Sequence, residues 1–277
     1  MRLVNRHSVV CLPLVFVLGC GGGDDPAPTA GGSAPAPAAP TSTPSAPAAT
    51  PAASTASSGP QTWDGTQGVA EVTGTVSFSG AAPERAPLDM GADPVCHDTG
   101  GGALDESVIV NDGKLQNAFI YVSKGADDWK FETPSEPVSL NQEGCLYKPH
   151  VLGMMKGQTL SVTNADGVTH NVHTYSRKNA SFNKSQPAGA GAIEQAMKRD
   201  EKLFPVKCDI HSWMSAYICV VDNPFFAVSD ENGNFNLGSL PEGTYTLTAE
   251  HETLGSQKAE VTVSASGADA VSFTFGG

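Results

Sequence analysis

Short runs of β-forming residues, each broken by turn residues, constrain what this chain can fold into from Val69 onwards. Valine, threonine, tyrosine and phenylalanine recur in runs such as AEVTGTVSF, LQNAFIYVS and GTYTLTAE. NDG at 111–113, NADG at 164–167 and ENG at 231–233 supply turns between such runs. Since no long stretch repeats with the 3.6-residue period of a helix, the pattern predicts an all-β protein built as a β-sandwich.

The first sixty or so residues do not share this pattern. Arg2 and Arg6 precede an apolar run that is too short to span a bilayer and is typical of a secretory signal. The run ends in VLGC, which resembles a bacterial lipobox, so we expect residues 1–19 to be removed and Cys20 to carry a lipid. An ordinary signal peptide with an unrelated cysteine is the alternative. Secretion across the inner membrane would leave a lipid-anchored protein, facing the periplasm or at the outer membrane or cell surface.

Residues 20–67 form a second kind of segment, rich in proline, alanine, serine and threonine. Almost no large apolar side chain occurs there before Trp63, so the segment cannot bury enough surface to offset the entropy of ordering. We therefore predict a disordered Pro/Ala-rich tether that holds a folded region away from a membrane. A glycosylated stalk would have the same mechanical effect.

The charge of the chain limits its partners. The formal net charge of −13 argues against binding to nucleic acid or to an anionic membrane surface. Basic residues nevertheless cluster in residues 176–207, where there are seven lysines and arginines and three acids. This stretch leads directly into Cys208 and is suited to steering an acidic redox protein such as a cytochrome or an oxidase.

The C-terminal region, from about residue 222, has a distinctive order of turns and strands. The stretch SDENGNFNLGSLPEGTYTLTAEHETLG resembles the carboxypeptidase-regulatory-like domain, a small β-sandwich of the transthyretin type. The resemblance implies that residues 222–277 form such a sandwich, and it implies nothing about chemistry. Residues 68–137 are expected to pack on, or to complete, one of the sandwiches, and the sequence leaves open which one.

Three side chains that can bind a metal recur at every third position in KCDIHSWMSAY, namely Cys208, His211 and Met214. A blue copper site needs two imidazoles and a thiolate, with a weak thioether ligand, so one imidazole is missing from this loop. His170, three residues after the glycine that ends the NADG turn, is the favoured second imidazole. His173 competes with it but points to the opposite face of the same strand. A structural zinc site would not use methionine, and haem attachment would need another cysteine.

The segments THNVH and CDIHSWM resemble the copper-binding segments of the cupredoxins, the type 1 blue copper proteins of the amicyanin and plastocyanin kind. The resemblance covers about residues 138–221 and implies a Greek-key β-sandwich. It implies one type 1 copper ion per chain, with four ligands: His170, Cys208, His211 and Met214. It also implies that Asn171 pins the ligand loop from outside, and Trp213 makes that loop bulkier.

Three cysteines remain once those in the signal, the lipobox and the metal loop are set aside. An oxidising compartment favours a disulfide among them. Cys96 and Cys145 both lie in turn-like loops, so we favour a bond between these two, with Cys219 buried and free. A bond from Cys219 to either of the others is the alternative.

These features predict an electron carrier and not an enzyme. A copper ion in a rigid shell exchanges single electrons, and the sequence offers no open metal position and no pair of nucleophile and base. The family resemblance implies that His211 presents its edge at the surface as the electron port, with Trp213 in the docking patch. Two other classes stay open: a copper buffer or donor with the same ligands, and a non-redox structural or binding lipoprotein.

Overall fold

The computed structural model describes residues 59–276 of the chain. The predicted signal peptide, the predicted lipidation site Cys20 and residues 20–58 of the predicted tether lie outside these residues. The last part of the predicted tether is ordered, which corrects its expected end at residue 67: Gln61–Thr62 pair with Trp129–Lys130, and Trp63 packs against a buried apolar cluster. Strands dominate the described part, which contains a single helix of seven residues, α1 (Pro94–Gly100). The all-β class expected from the sequence is confirmed. Within the described part, no helix is both long enough and apolar enough to cross a membrane.

The strands are numbered in chain order. Those before residue 131 are β1 (Gln61–Thr62), β2 (Ala70–Ser79), β3 (Val110–Asn111), β4 (Lys114–Leu115), β5 (Phe119–Lys124) and β6 (Trp129–Lys130). Those between residues 138 and 221 are β7 (Val138–Gln142), β8 (Tyr147–Lys148), β9 (Val151–Met155), β10 (Thr159–Asn164), β11 (His170–Thr174), β12 (Asn183–Gln186), β13 (Ile193–Ala196), β14 (Glu201–Lys207) and β15 (Ser215–Val221). Those after residue 225 are β16 (Phe226–Val228), β17 (Asn234–Leu240), β18 (Gly243–His251), β19 (Gly255–Ser264), β20 (Gly267–Ala268) and β21 (Val271–Gly276).

Two sheets built from residues 138–221 pack face to face, and we call this unit the inserted sandwich. One sheet has the strand order β13-β10-β7-β8 and the other has the order β12-β11-β14-β15-β9. Because successive side chains of a strand point to opposite faces, alternate residues of both sheets enter one shared core. Leu160, Val172 and Ile218 are buried members of that core.

Two further sheets form the host sandwich, in which both ends of the described chain meet. Their strand orders are β16-β5-β18-β19-β20 and β17-β2-β4-β3, and β21 pairs with β2 in the second sheet. Alternate residues of β2 and β21 are buried in its core, among them Val76, Phe273 and Phe275. Strands from residues 70–124 and from residues 226–276 therefore share one sandwich.

The inserted sandwich occupies the place of a hairpin turn in the host sandwich. β5 and β16 are antiparallel neighbours, with Tyr121 opposite Phe226. The connection between them is not a short turn but residues 125–225, which contain every strand of the inserted sandwich. The chain thus leaves the host sandwich after β5 and returns to it at the neighbouring strand β16.

The two sandwiches pack against each other through their outer faces. The free face of β9 and β15 contributes Val151 and Cys219 to a buried cluster that also contains Phe119 of β5. Gly153 allows the close approach, since a Cβ atom there would lie 2.6 Å from the rings of Phe119 and Phe226. The second face of β15 is therefore covered, which explains why this strand is apolar on both sides.

The connection between β2 and β3 leaves the host sandwich and forms a projection, residues 86–105, that we call the cap. Its base is closed by a backbone hydrogen bond of 2.9 Å from the Leu88 N–H to the Ala103 carbonyl. α1 lies within the cap. The Asp93 side chain accepts hydrogen bonds from the first free N–H groups of α1, and Pro94 occupies the first helical position.

Candidate metal centre

The loop between β14 and β15 gathers three of the predicted ligands at one end of the inserted sandwich. Lys207 pairs with Ser215 across the two strands, so the loop is closed at its base. The Cys208 N–H donates to the Met214 carbonyl over 3.2 Å, and the Met214 N–H donates to the His211 carbonyl over 3.0 Å. As a result, Cys208, His211 and Met214 are all buried, although they lie on one short loop.

His170 brings an imidazole to this loop from a second strand. It opens β11 three residues after the glycine that ends the NADG turn, and its Nδ1 lies 2.9 Å from Nδ1 of His211. The Sγ of Cys208 lies 3.8 Å from the same His211 nitrogen. Donor atoms of these three buried residues all lie within 4.8 Å of one another, and Met214 belongs to the same core cluster as Cys208.

His173, the competing histidine, does not reach this cluster. Its Nδ1 lies 3.1 Å from each carboxylate oxygen of Asp209, and its ring stacks on Tyr175 with 4.1 Å between the centroids. The hydrogen bond from His173 holds the pKa of the Asp209 carboxyl below its usual value. The two-residue period of β11 thus places His170 inside the sandwich and His173 on the outer face.

Asn171 ties β11 to the ligand loop through its side-chain amide. Its Oδ1 accepts the N–H of Asp209 at 2.6 Å and the N–H of Ile210 at 3.3 Å. The thiol of Cys208 lies 3.3 Å from the same oxygen, and the Nδ2 donates to Asn183 at 2.8 Å. One amide therefore constrains three consecutive residues of the loop.

Each imidazole turns its other nitrogen towards a carboxylate that the sequence did not single out. The Nε2 of His170 lies 2.9 Å from Oδ2 of Asp166, whose oxygens also accept two backbone N–H groups from the loop after β7. The Nε2 of His211 lies 3.3 Å from Oδ2 of Asp93. Burial lowers the pKa of His170, and the hydrogen bond to Asp166 opposes this only in part. A carboxylate on Nε2 favours the tautomer that leaves Nδ1 free to bind a metal.

The cap closes the centre on the His211 side. A disulfide with an S–S distance of 2.05 Å joins Cys96 of α1 to Cys145, the pair favoured from the sequence. The Sγ of Cys96 lies 3.9 Å from Nε2 of His211. The Trp213 indole donates to the Cys145 carbonyl over 3.1 Å, and its ring lies 5.0 Å from the His211 ring.

This arrangement corrects one expectation. His211 is only 3% exposed, so its edge does not reach the surface. The sequence-based interpretation is wrong on this point because the cap, which comes from the host sandwich, lies over that edge. Trp213 is half-buried against the cap and does not form an open docking patch.

Cys219 is the second free cysteine among residues 59–276, after Cys208. It lies on the opposite face of β15, buried between the two sandwiches, where the Leu203 N–H donates to its sulfur over 3.3 Å. Burial raises the pKa of the Cys219 thiol far above its ordinary value. The role of this residue is packing.

A family model for the carboxypeptidase regulatory-like domain matches residues 215–276. This match confirms the kind of C-terminal module that the sequence predicts. The structure corrects its expected bounds of 222–277, because residues 226–276 share their sandwich with β2 to β5. The match begins with β15, which the structure places in the inserted sandwich, and it does not include the host strands β2 to β5. No curated protein matches the chain.

Several solved structures of copper proteins are similar to part of the chain. A copper-containing nitrite reductase (NirK) from Thermus scotoductus SA-01 is 20% identical over 37% of this chain and 25% of its own, with a TM-score of 0.29. A purple cupredoxin from Nitrosopumilus maritimus is 21% identical over 30% of this chain and 98% of its own, with a TM-score of 0.26. A reduced tryptophan-to-tyrosine mutant of amicyanin is 17% identical over 32% of this chain and 86% of its own, with a TM-score of 0.28. The chain spans a quarter of the nitrite reductase, and similarities at these TM-scores carry no argument about its activity.

Proposed function

We propose that this protein binds one copper ion per chain and carries single electrons between redox proteins. The observation that carries the proposal is the buried cluster in which Nδ1 of His170 lies 2.9 Å from Nδ1 of His211, with Sγ of Cys208 3.8 Å from the latter. Two imidazoles, a thiolate and a thioether, here from Met214, are the donor set of blue copper sites. The residues present therefore fit a type 1 copper ion.

The surrounding residues support this assignment by holding the donors in place. Asn171 restrains the loop, while Asp166 and Asp93 each hold one imidazole by its outer nitrogen. Bound copper would supply a one-electron couple between the cuprous and cupric states. Electron exchange is faster when the ligands move little between states, and the hydrogen bonds on every side of the loop restrict such movement.

The proposal makes the protein a carrier and not an enzyme. Four protein ligands leave no open position for a substrate, and burial under the cap separates the cluster from small molecules in solution. The same burial favours retention of the metal over its release, which argues for a redox carrier in preference to a copper donor.

The location we propose follows from the N-terminal sequence. A lipid on Cys20 and the part of the predicted tether that precedes β1 would hold the sandwiches at a membrane surface, on the outer side of the inner membrane. Confinement by the tether would raise the local concentration of a membrane-bound cytochrome or oxidase, which suits the small and weak interfaces of transient redox pairs.

Copper titration of the full chain tests the proposal. Metal-free protein should take up one equivalent of Cu(II) and develop an intense thiolate-to-copper band in the visible spectrum, which ascorbate should bleach. Cys208→Ser should remove the band. Cys219→Ser changes the other free buried cysteine and should leave the band unchanged. The proposal fails if the unaltered protein stays colourless or if Cys208→Ser retains the band.

A further inference from the structure

The outer face of the β12-β11-β14-β15-β9 sheet of the inserted sandwich is covered at one end and open at the other. At the β15 and β9 end it packs against Phe119 and Phe226 of the host sandwich. At the β14, β11 and β12 end, no element within residues 59–276 covers it, and Tyr175 remains 43% exposed. The adjoining loop residue Ile210 is 54% exposed. We call the surface formed by His173, Tyr175, Pro205, Lys207 and Ile210 the open face.

The path from the metal centre to solvent is shorter through the open face than through the edge of the His211 ring. The His211 edge faces Asp93 and the disulfide of the cap, and an electron leaving by that edge would have to cross the cap. The Cys208 side of the centre has no such cover. Asp209 and Ile210, which follow Cys208 directly, are both exposed.

A continuous series of contacts joins the thiol of Cys208 to the open face. The thiol lies 3.3 Å from Oδ1 of Asn171, and Nδ2 of Asn171 lies 3.3 Å from Oδ2 of Asp209. The Asp209 carboxylate lies 3.1 Å from Nδ1 of His173, whose ring stacks on Tyr175 at 4.1 Å. Each step is a hydrogen bond or a van der Waals contact, so no gap interrupts the route from the ligand to the surface.

The charges around the two surfaces have opposite signs. Residues 173–184 and 205–210, which form and border the open face, contain four bases, Arg177, Lys178, Lys184 and Lys207, and one acid, Asp209. Two further acids lie beside them: Asp200 pairs with Lys178 over 3.1 Å, and the Glu201 carboxylate accepts the backbone N–H groups of Arg177 and Lys178. Four bases thus stand against three acids here. The cap, residues 86–105, contains no lysine or arginine and four acids: Asp89, Asp93, Asp98 and Asp105. The open face is thus a basic surface with an aromatic centre on a chain whose net charge is −13.

We propose that the open face is the electron port of this protein, and that it docks a one-electron redox protein with an acidic surface. The exposed apolar groups of Tyr175 and Ile210 give the contact, and the surrounding lysines and arginine steer the partner. With copper bound, one electron would pass between the partner and the copper centre in each encounter, so that one would be oxidised as the other was reduced. This inference rests on the proposed function and adds to it the surface through which the electron enters and leaves.

A binding experiment on the metal-free full chain tests the docking surface without relying on copper. Hexacyanochromate(III), a redox-inert and paramagnetic trianion, serves as the probe for anionic surfaces. The amide resonances of Tyr175, Lys207 and Ile210 should broaden on addition of the probe, and salt should reverse the effect. Broadening confined to other surfaces, or none at all, overturns the assignment of the docking surface.

A kinetic experiment on the copper-loaded chain then tests the port. Hexacyanoferrate(III) takes one electron from the reduced protein and becomes hexacyanoferrate(II). Arg177→Glu/Lys184→Glu should slow this reaction by about tenfold or more at low salt and by much less at high salt. The comparison variant Asp98→Lys reverses one charge on the exposed part of the cap and should leave the rate nearly unchanged. Neither change touches a ligand, so the visible spectrum should be the same in all three proteins.

The outcomes separate this inference from the proposed function. Suppose that the copper spectrum is normal. Equal rates in the Arg177→Glu/Lys184→Glu and unaltered proteins would then refute the open face as the electron port, as would a large effect in Asp98→Lys. Either result would leave the proposed copper carrier unaffected. If no thiolate-to-copper band forms in the unaltered protein, both the proposed copper carrier and the proposed electron port are refuted.

Discussion

Removal of the disulfide between Cys96 and Cys145 should destabilise the protein by an amount that follows from its position in the chain. The bond joins residues 49 apart in sequence. In the unfolded chain it closes a loop of that length, and the lost entropy corresponds to about 4 kcal/mol at room temperature. Because this contribution acts on the unfolded state, it should appear in the metal-free protein.

Urea unfolding of the metal-free full chain measures the effect. With an unfolding slope of about 2–3 kcal/mol per molar urea, Cys96→Ala/Cys145→Ala should lower the midpoint by about 1.3–2 M. Cys219→Ala is the matched comparison, since it removes a buried sulfur that closes no loop. The difference between the urea midpoints of the two variants separates the effect of loop closure from the effect of lost packing.

The same variant should also expose the metal centre. Cys96 fastens the cap over His211, so without the bond the cap should open more often and diethyl pyrocarbonate should modify His211 faster than in the unaltered protein. The reasoning is refuted if Cys96→Ala/Cys145→Ala loses no more stability than Cys219→Ala and His211 remains equally protected. That result would mean that packing alone holds the cap and that the bond adds nothing to it.

Two further predictions concern the junction between the sandwiches. Gly153→Ala should cost about 1–3 kcal/mol of unfolding free energy, because its Cβ would lie 2.6 Å from two phenylalanine rings, whereas Gly191→Ala, with open space around it, should change the urea midpoint little. Burial lowers the pKa of His150, but the hydrogen bond and charge of Glu252 and the charge of Glu106 outweigh it and raise the pKa above 6.5. The stability that His150 contributes is therefore complete below pH 6.5 and is lost as the pH rises through the folded-state pKa. Urea midpoints at several pH values should show this loss, and His150→Gln should abolish that part of the pH dependence; an identical profile in the variant would contradict it.

The loop that carries the three candidate ligands could be recognised in the sequence because these residues lie close together in the chain. Cys208, His211 and Met214 lie within seven residues, and a strand on each side can be read from alternation. His170 lies 41 residues before His211, and the turn before it together with the strand period was enough to prefer it over His173.

The cap could not be predicted because its contact with the centre is long-range. Asp93 lies 118 residues before His211, in a glycine-rich segment without apolar periodicity. The local signal that was present, an aspartate directly before a proline, indicates the start of a helix but not what the helix covers. Asp166 was visible only as part of a turn, since a turn residue and an imidazole partner look the same in sequence.

The insertion of one sandwich into the other could not be predicted either, because the strand pairs that define it are distant in sequence. The next strand along the chain that pairs with β5 is β16, more than a hundred residues further on, and the sequence between them makes a sandwich of its own. The residues of β21, VSFTFG, alternate between buried and exposed, but this alternation does not indicate that its parallel partner is β2, at the other end of the described chain.

The insertion also determines the order in which a chain that emerges N-terminus first on the outer side of the inner membrane can fold. Strands β2 to β5 are made first, but Thr75 of β2 needs Asn234 on one side and Ser272 on the other. The inserted sandwich is complete once residue 221 has emerged, before any of these partners exists. The usual sequence of N-terminal unit first is therefore reversed, and the nested unit folds while the early strands wait with unpaired edges. Closure of the host sandwich depends on β17 and β21, so it can occur only after residues 234–276 have emerged.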